Sequence, residues 1–176
     1  EDNTDLDRPS SFNFPALISL GGSIRLQNSF YYRLGGFSAD ALERIEGGLF
    51  AFNPSISNLS LAKLTTISGN LHVVNTALSS LSGLSSLTSV GGSVTISNNG
   101  SLLNLSGLAN VTAVDGDLIL TGNGKLRNLD GLASLTSVSG AMTVHQNLSL
   151  PDLNGVNNLT SVSDLEISGN TALRYC

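Results

Sequence analysis

The chain has 176 residues, enough for one domain with a sizeable core, and only 12% of them are charged. Its net charge of −5 and pI near 4.7 exclude the basic face that a nucleic-acid binder needs. No apolar run approaches the roughly 18 residues of a membrane span, and the single cysteine, Cys176, excludes an internal disulfide framework or a Cys-based zinc site.

Residues 1–11 (EDNTDLDRPSS) are acidic and polar and are expected to form a flexible leader. The first residue is Glu1, so the sequence is expected to be a processed chain or an excerpt. One domain is expected over 12–176, opening with degenerate capping coils over 12–53. They contain LISLGGSIRLQN from Leu17 and LERIEGGLFAFN from Leu42, separated by an insertion from Ser29 to Asp40. Eight of the nine aromatics fall before residue 53: Phe12, Phe14, Phe30, Tyr31, Tyr32, Phe37, Phe50 and Phe52. Their first expected role is a cap over the core of the first coil; their second is a recognition patch for sugars.

Regular coils follow over 64–176. They start at Leu64, Leu87, Val111, Leu135 and Leu159, in steps of 23, 24, 24 and 24 residues. Leu, Ser, Gly and Asn fill 95 of the 176 positions, and the fixed spacing of the leucines makes that bias a repeat. In each coil one apolar pair has period two: Leu71/Val73, Val94/Ile96, Leu118/Leu120, Met142/Val144 and Leu165/Ile167. Period two predicts a short strand with one face inward. The other anchors step by three, as in Leu102, Leu105 and Leu108, with Gly and Ser between them. That pattern predicts tight turns, 3₁₀ pieces or short strands, since it lacks helix formers. A coil that cannot bury its own apolar edge must stack on copies of itself.

An asparagine follows each strand. Asn28, Asn53, Asn75, Asn99, Asn123, Asn147 and Asn170 are expected to form one structural column that bonds the turn backbone and the neighbouring coil. A threonine column (Thr65, Thr88, Thr112, Thr136, Thr160) is expected to cap turns. Gly22, Gly48, Gly69, Gly92, Gly116 and Gly140 are expected to hold a bulge or a φ > 0 turn.

The run V-x-I-x-x-N from Val94 to Asn99 resembles the strand and asparagine of a leucine-rich repeat, although the next leucine, Leu102, comes three residues later instead of two. The recurring L-T-S-V-x-G-x-L-x-I-x-x-N is most similar to receptor L-domain-like repeats of secreted surface proteins, including the fungal GPI-anchored cell-wall group. The resemblance covers about residues 15–173 and carries over no catalytic residue. It implies an all-β fold: a right-handed parallel β-solenoid, here of about seven coils of 22–25 residues with an aromatic-rich N-terminal cap, and an extracellular or cell-surface place.

Little in the sequence suggests catalysis. No Asp, Glu, Lys or Arg lies between Lys63 and Asp115. His72 and His145 are three coils apart and at different coil positions. Asp115, Asp117 and Asp130 have no acidic equivalents on adjacent coils, so a structural or solvated role is expected for them. No cofactor or metal is expected. The outward strand column Arg25, Phe50, His72, Thr95, Ile119, Thr143 and Glu166 is the candidate binding face, because the fold leaves it unconstrained. It is too mixed for a flat ice-binding lattice, which is the least favoured function.

The expected function is a non-catalytic extracellular or cell-surface binding or adhesion scaffold, with a protein or glycan partner. The alternative is a structural subunit that stacks end to end into a fibre or wall layer. Self-association through the C-terminal edge and an intermolecular disulfide at Cys176 would serve that alternative. Six N-glycosylation acceptors occur, at Asn58, Asn99, Asn104, Asn110, Asn147 and Asn158, and they suggest a eukaryotic secretory route.

Overall fold

The computed structural model describes residues 11–27 and 34–174. The leader up to residue 10, Asn28, Phe30, Tyr31, Tyr32 and Cys176 lie outside the described residues. Ser11, assigned to the leader from the sequence, instead opens a strand.

Each coil lays down a two-residue strand, bends, and continues into a four-residue strand. The pairs are Ser19–Leu20 with Ile24–Gln27, Arg44–Ile45 with Leu49–Phe52, Thr66–Ile67 with Leu71–Val74, Ser89–Val90 with Val94–Ser97, and Ala113–Val114 with Leu118–Thr121. In the last two coils the two pieces merge into single strands, Ser137–His145 and Ser161–Ser168. Every neighbour pairs in parallel, giving one twelve-stranded sheet. The protein is therefore an all-β parallel solenoid; its seven strand-bearing rungs bound about six complete turns. Apolar residues stay in step from rung to rung, with Leu49, Leu71, Val94, Leu118, Met142 and Leu165 directly paired. This register keeps a single continuous core along the axis.

The return leg changes character along the chain, and apolar spacing explains the change. In the first coils it runs as strands Ser11–Asn13, Gly36–Ser38 and Asn58–Ser60, with buried residues spaced by two (Phe37/Ala39, Leu59/Leu61). From the next coil the spacing becomes three (Leu81/Leu84, Leu105/Leu108, Leu129/Leu132), and 3₁₀ turns replace the strands at Ser82–Leu84, Ser106–Leu108, Asp130–Leu132 and Asn154–Val156. Each turn contains a glycine pressed onto the coil before it. A Cβ on Gly83, Gly107, Gly131 or Gly155 would overlap the carbonyl oxygen of Leu59, Leu81, Leu105 or Leu129.

None of the bend glycines has the positive φ expected as one alternative, while Gly140 lies within the register shift between Val138 and Ala141, as a bulge would. A Cβ on Gly69, Gly92, Gly116 or Gly140 would approach the preceding rung's backbone to 2.7–2.9 Å, whereas one on Gly22 would meet nothing within 4 Å. The left-handed residues lie elsewhere, after the long strands: Asn75, Asn98, Gly122, Gln146 and Gly169. The threonines also act differently from expectation. Thr65, Thr88, Thr136 and Thr160 donate their hydroxyls to the preceding coil's Glu43, Thr65, Thr112 and Thr136 carbonyls, linking rungs where turn caps were expected.

Candidate binding face

In a four-residue strand, alternate side chains leave the core. The seven outward residues read from the sequence pair directly: Arg25 with Phe50, Phe50 with His72, His72 with Thr95, Thr95 with Ile119, Ile119 with Thr143, and Thr143 with Glu166. They form one continuous column with a rung spacing of about 4.8 Å. A second outward column, missed in the sequence, runs beside it: Gln27, Phe52, Val74, Ser97, Thr121, His145 and Ser168. Period two was its signal, since each member lies two residues past one of the first column.

Aromatic rings gather at the N-terminal end of this face. The Phe50 and Phe52 centroids are 6.1 Å apart, and the His72 ring lies 5.2 Å from Phe50 and 6.0 Å from Phe52. The Arg25 guanidinium sits 4.3 Å from the Phe50 centroid, within cation–π range. Gly48 makes room for the Phe50 ring, which a Cβ there would overlap. Burial among these groups holds the His72 pKa below its ordinary value, and its Nε2 is buried without a hydrogen-bond partner. Phe50 and Phe52 therefore line the outward face and do not cap the first coil. Of the other described aromatics, Phe37 is in the core, 5.7 Å from Phe14, while Phe12 and Phe14 stay about half exposed.

Small side chains pave the middle of the face: Thr95, Ser97, Thr121 and Thr143, with Ile119 among them. At the far end His145 Nδ1 lies 2.7 Å from Ser168 Oγ, which donates to Glu166 Oε1 at 3.0 Å. The three side chains form a short polar chain at the surface of the last two rungs. Asp117 has a backbone partner, accepting from Ala141 N–H at 2.9 Å, while Asp130 begins a 3₁₀ turn on the return leg. Among the described residues no group of three or more His, Cys, Asp and Glu side chains could hold a metal ion. No helix among them is long and apolar enough to cross a membrane.

The asparagine column stands at the corner after this face, with one substitution. Asn99 donates its backbone N–H to Asn123 Oδ1 (3.1 Å), Asn123 to Asn147 Oδ1 (3.1 Å) and Asn147 to Asn170 Oδ1 (2.9 Å). Each Nδ2 reaches back to a strand carbonyl: Asn99 to Val73, Asn123 to Ile96, Asn147 to Leu120 and Asn170 to Val144. Asn75 is not a member. It is exposed, has φ 52°, and fills the left-handed position one residue earlier. Thr76 takes its place, buried, donating both N–H and hydroxyl to Asn99 Oδ1. Asn53 is buried at the equivalent corner but is not bonded into the ladder: its Oδ1 accepts Ser55 N–H (2.9 Å) and its Nδ2 has no partner.

The column also corrects two glycosylation acceptors. Asn99 and Asn147 are fully buried and their amides are spent on the ladder, so neither can carry a glycan in this fold. At the last rung Leu165 and Ile167 are 51% and 39% exposed, over an apolar cleft of about 490 Å³ that reaches Met142 and Val144. No protein-family model, curated protein or solved structure matches the chain.

Proposed function

We propose that the protein is a non-catalytic binding or adhesion scaffold of the extracellular space or cell surface, with a protein or glycan partner held on the outward sheet face. One observation carries this reading. The in-register column from Arg25 to Glu166 varies freely in chemistry while the inward positions beside it stay apolar. A scaffold fixes its interior and leaves its recognition surface to vary. The Arg25–Phe50–Phe52–His72 cluster supplies the aromatic and cationic anchors on which binding energy concentrates. The resemblance to receptor L-domain-like repeats supports the surface location.

The test is retention of the purified chain on immobilised cell-surface proteins and on a panel of neutral and acidic polysaccharides. Wild type is expected to be retained and a Phe50→Ser/Phe52→Ser variant to be released. Equal retention of both would remove the aromatic anchor from the reading.

A second reading, end-to-end self-association, is favoured by the exposure of Leu165 and Ile167 on a strand whose outer edge no other described strand pairs. Light scattering of wild type and Leu165→Glu tests it: association of the first and not the second is expected, and a monomeric wild type at high concentration would exclude it.

A further inference from the structure

We infer that the chain is an N-glycoprotein whose glycans sit on the return leg alone, at Asn58, Asn104, Asn110 and Asn158, leaving the whole sheet face bare. The inference rests on the extracellular reading above.

Six acceptor triplets occur, and the structure sorts them into two sets. Asn99 and Asn147 lie at the corner of the sheet, fully buried, with Nδ2 bonded to Val73 O and Leu120 O. The other four lie within two residues of a return-leg element: Asn58 opens the strand Asn58–Ser60, Asn104 and Asn110 flank the 3₁₀ turn Ser106–Leu108, and Asn158 follows Asn154–Val156.

Their hydrogen bonds leave room for the chemistry. Transfer joins the asparagine Nδ2 to C1 of an oligosaccharide. The C1–oxygen bond to the diphosphate of a lipid-linked donor breaks, the lipid diphosphate leaves, and one amide proton is lost to the transferase's base. One N–H remains on the linked nitrogen. Asn110 and Asn158 use a single Nδ2 bond, to Ser85 O and Ala133 O, both 2.8 Å, and one remaining N–H can keep it. Asn104 uses only Oδ1, which accepts Ser106 N–H at 3.2 Å, so its Nδ2 is not needed by the turn. Buried Asn99 needs both protons, for Val73 O and for Asn123 Oδ1 at 3.2 Å. A glycan there would stop the rung from closing.

Asn110 and Asn158 also occupy equivalent positions two rungs apart, roughly 10 Å along the axis. Sugars at both would cover the return leg and point away from the candidate face. The glycans thereby restrict partners to the sheet, whose described outward columns hold no acceptor.

The full chain is secreted from a eukaryotic host and its folded fraction mapped by enzymatic deglycosylation, which converts each occupied Asn to Asp. Glycans confined to Asn58, Asn104, Asn110 and Asn158 are expected, with Asn99 and Asn147 unmodified. Asn110→Gln/Asn158→Gln should lose two glycans and keep the wild-type circular dichroism spectrum. Occupancy of Asn99 or Asn147 in folded protein would overturn the inference, as would no occupancy at any of the four. Retention on the protein and polysaccharide panel is measured separately on unglycosylated bacterial protein, so loss of the glycan pattern is distinguishable from loss of the binding function.

Discussion

Replacing Asn123 with alanine removes the centre of the buried ladder. Four hydrogen bonds disappear: those from Asn99 N and Asn99 Nδ2 to Asn123 Oδ1, and those from Asn123 Nδ2 to Ile96 O and Asn147 Oδ1. At about 1 kcal/mol net for each bond, the loss is about 4 kcal/mol; the Asn99 N–H, left in a dry turn without an acceptor, adds to it. Against a total stability of about 5–15 kcal/mol this is a large fraction. The matched control is Asn75→Gly. That residue is exposed at φ 52° and its side chain is outside the ladder, so glycine should be neutral or stabilise by up to about 1 kcal/mol. Urea unfolding of both variants, compared at unchanged m-value, reads the difference directly. A loss below about 1 kcal/mol for Asn123→Ala, or a larger loss for Asn75→Gly, would refute the ladder as a source of stability.

Gly107→Ala forces a Cβ onto the Leu81 carbonyl, a backbone group that cannot swing aside as the end of a flexible side chain could. It should cost about 3 kcal/mol or more in thermal or chemical unfolding, whereas Gly100→Ala, which meets nothing within 4 Å, should be neutral or slightly stabilising. Burial lowers the His72 pKa in the folded state, so the unfolded chain takes up that proton first. The contribution of neutral His72 is intact above its ordinary value of 6.5 and is lost as pH falls below it. Unfolding midpoints followed from about pH 7.5 to about pH 5 should therefore fall more steeply for wild type than for His72→Gln; parallel curves would show that the aromatic nest does not disfavour the charged ring. Leu105→Ala, at a fully buried core position, should cost about 2–5 kcal/mol by the same unfolding assay.

The repeat made the architecture legible because its apolar spacing maps directly onto rungs. Period-two pairs such as Val94/Ile96 are strand interiors, and the shift from spacing two to spacing three marks where the return leg turns from strand to 3₁₀. The first outward column followed from the same period. The second carried the same period but went unread, because the strand runs one residue past Ile96 to Ser97, and a boundary of that kind depends on pairing with the next rung. Asn75 was misplaced for a related reason. Its offset of two from the strand anchor sets it apart from Asn99 and Asn123, but Asn53 has the same offset and is buried, so the offset alone does not reveal that Thr76 stands in the column. The bend glycines were located from the sequence, but the positive φ offered for them is absent, and the close approach between rungs that several of them permit leaves no trace in a single coil's sequence. The aromatic cluster was the least legible part. Phe50 and His72 were both in the first column, but Phe52 joins them across columns, and only the structure shows three rings meeting.

The claim that the sheet face does the binding can be tested by charge insertion on opposite sides of the same core. Thr95→Glu/Thr143→Glu alters two rungs of the face, and Ser82→Glu/Ser106→Glu alters two rungs of the return leg; all four side chains lie outside the core. Wild type and both variants are passed over the cell-surface protein and polysaccharide panel after their unfolding midpoints have been matched. The face variant should lose retention while the return-leg variant keeps it. Retention lost on the return leg and kept on the sheet, or no retention of wild type by any member of the panel, would contradict the account.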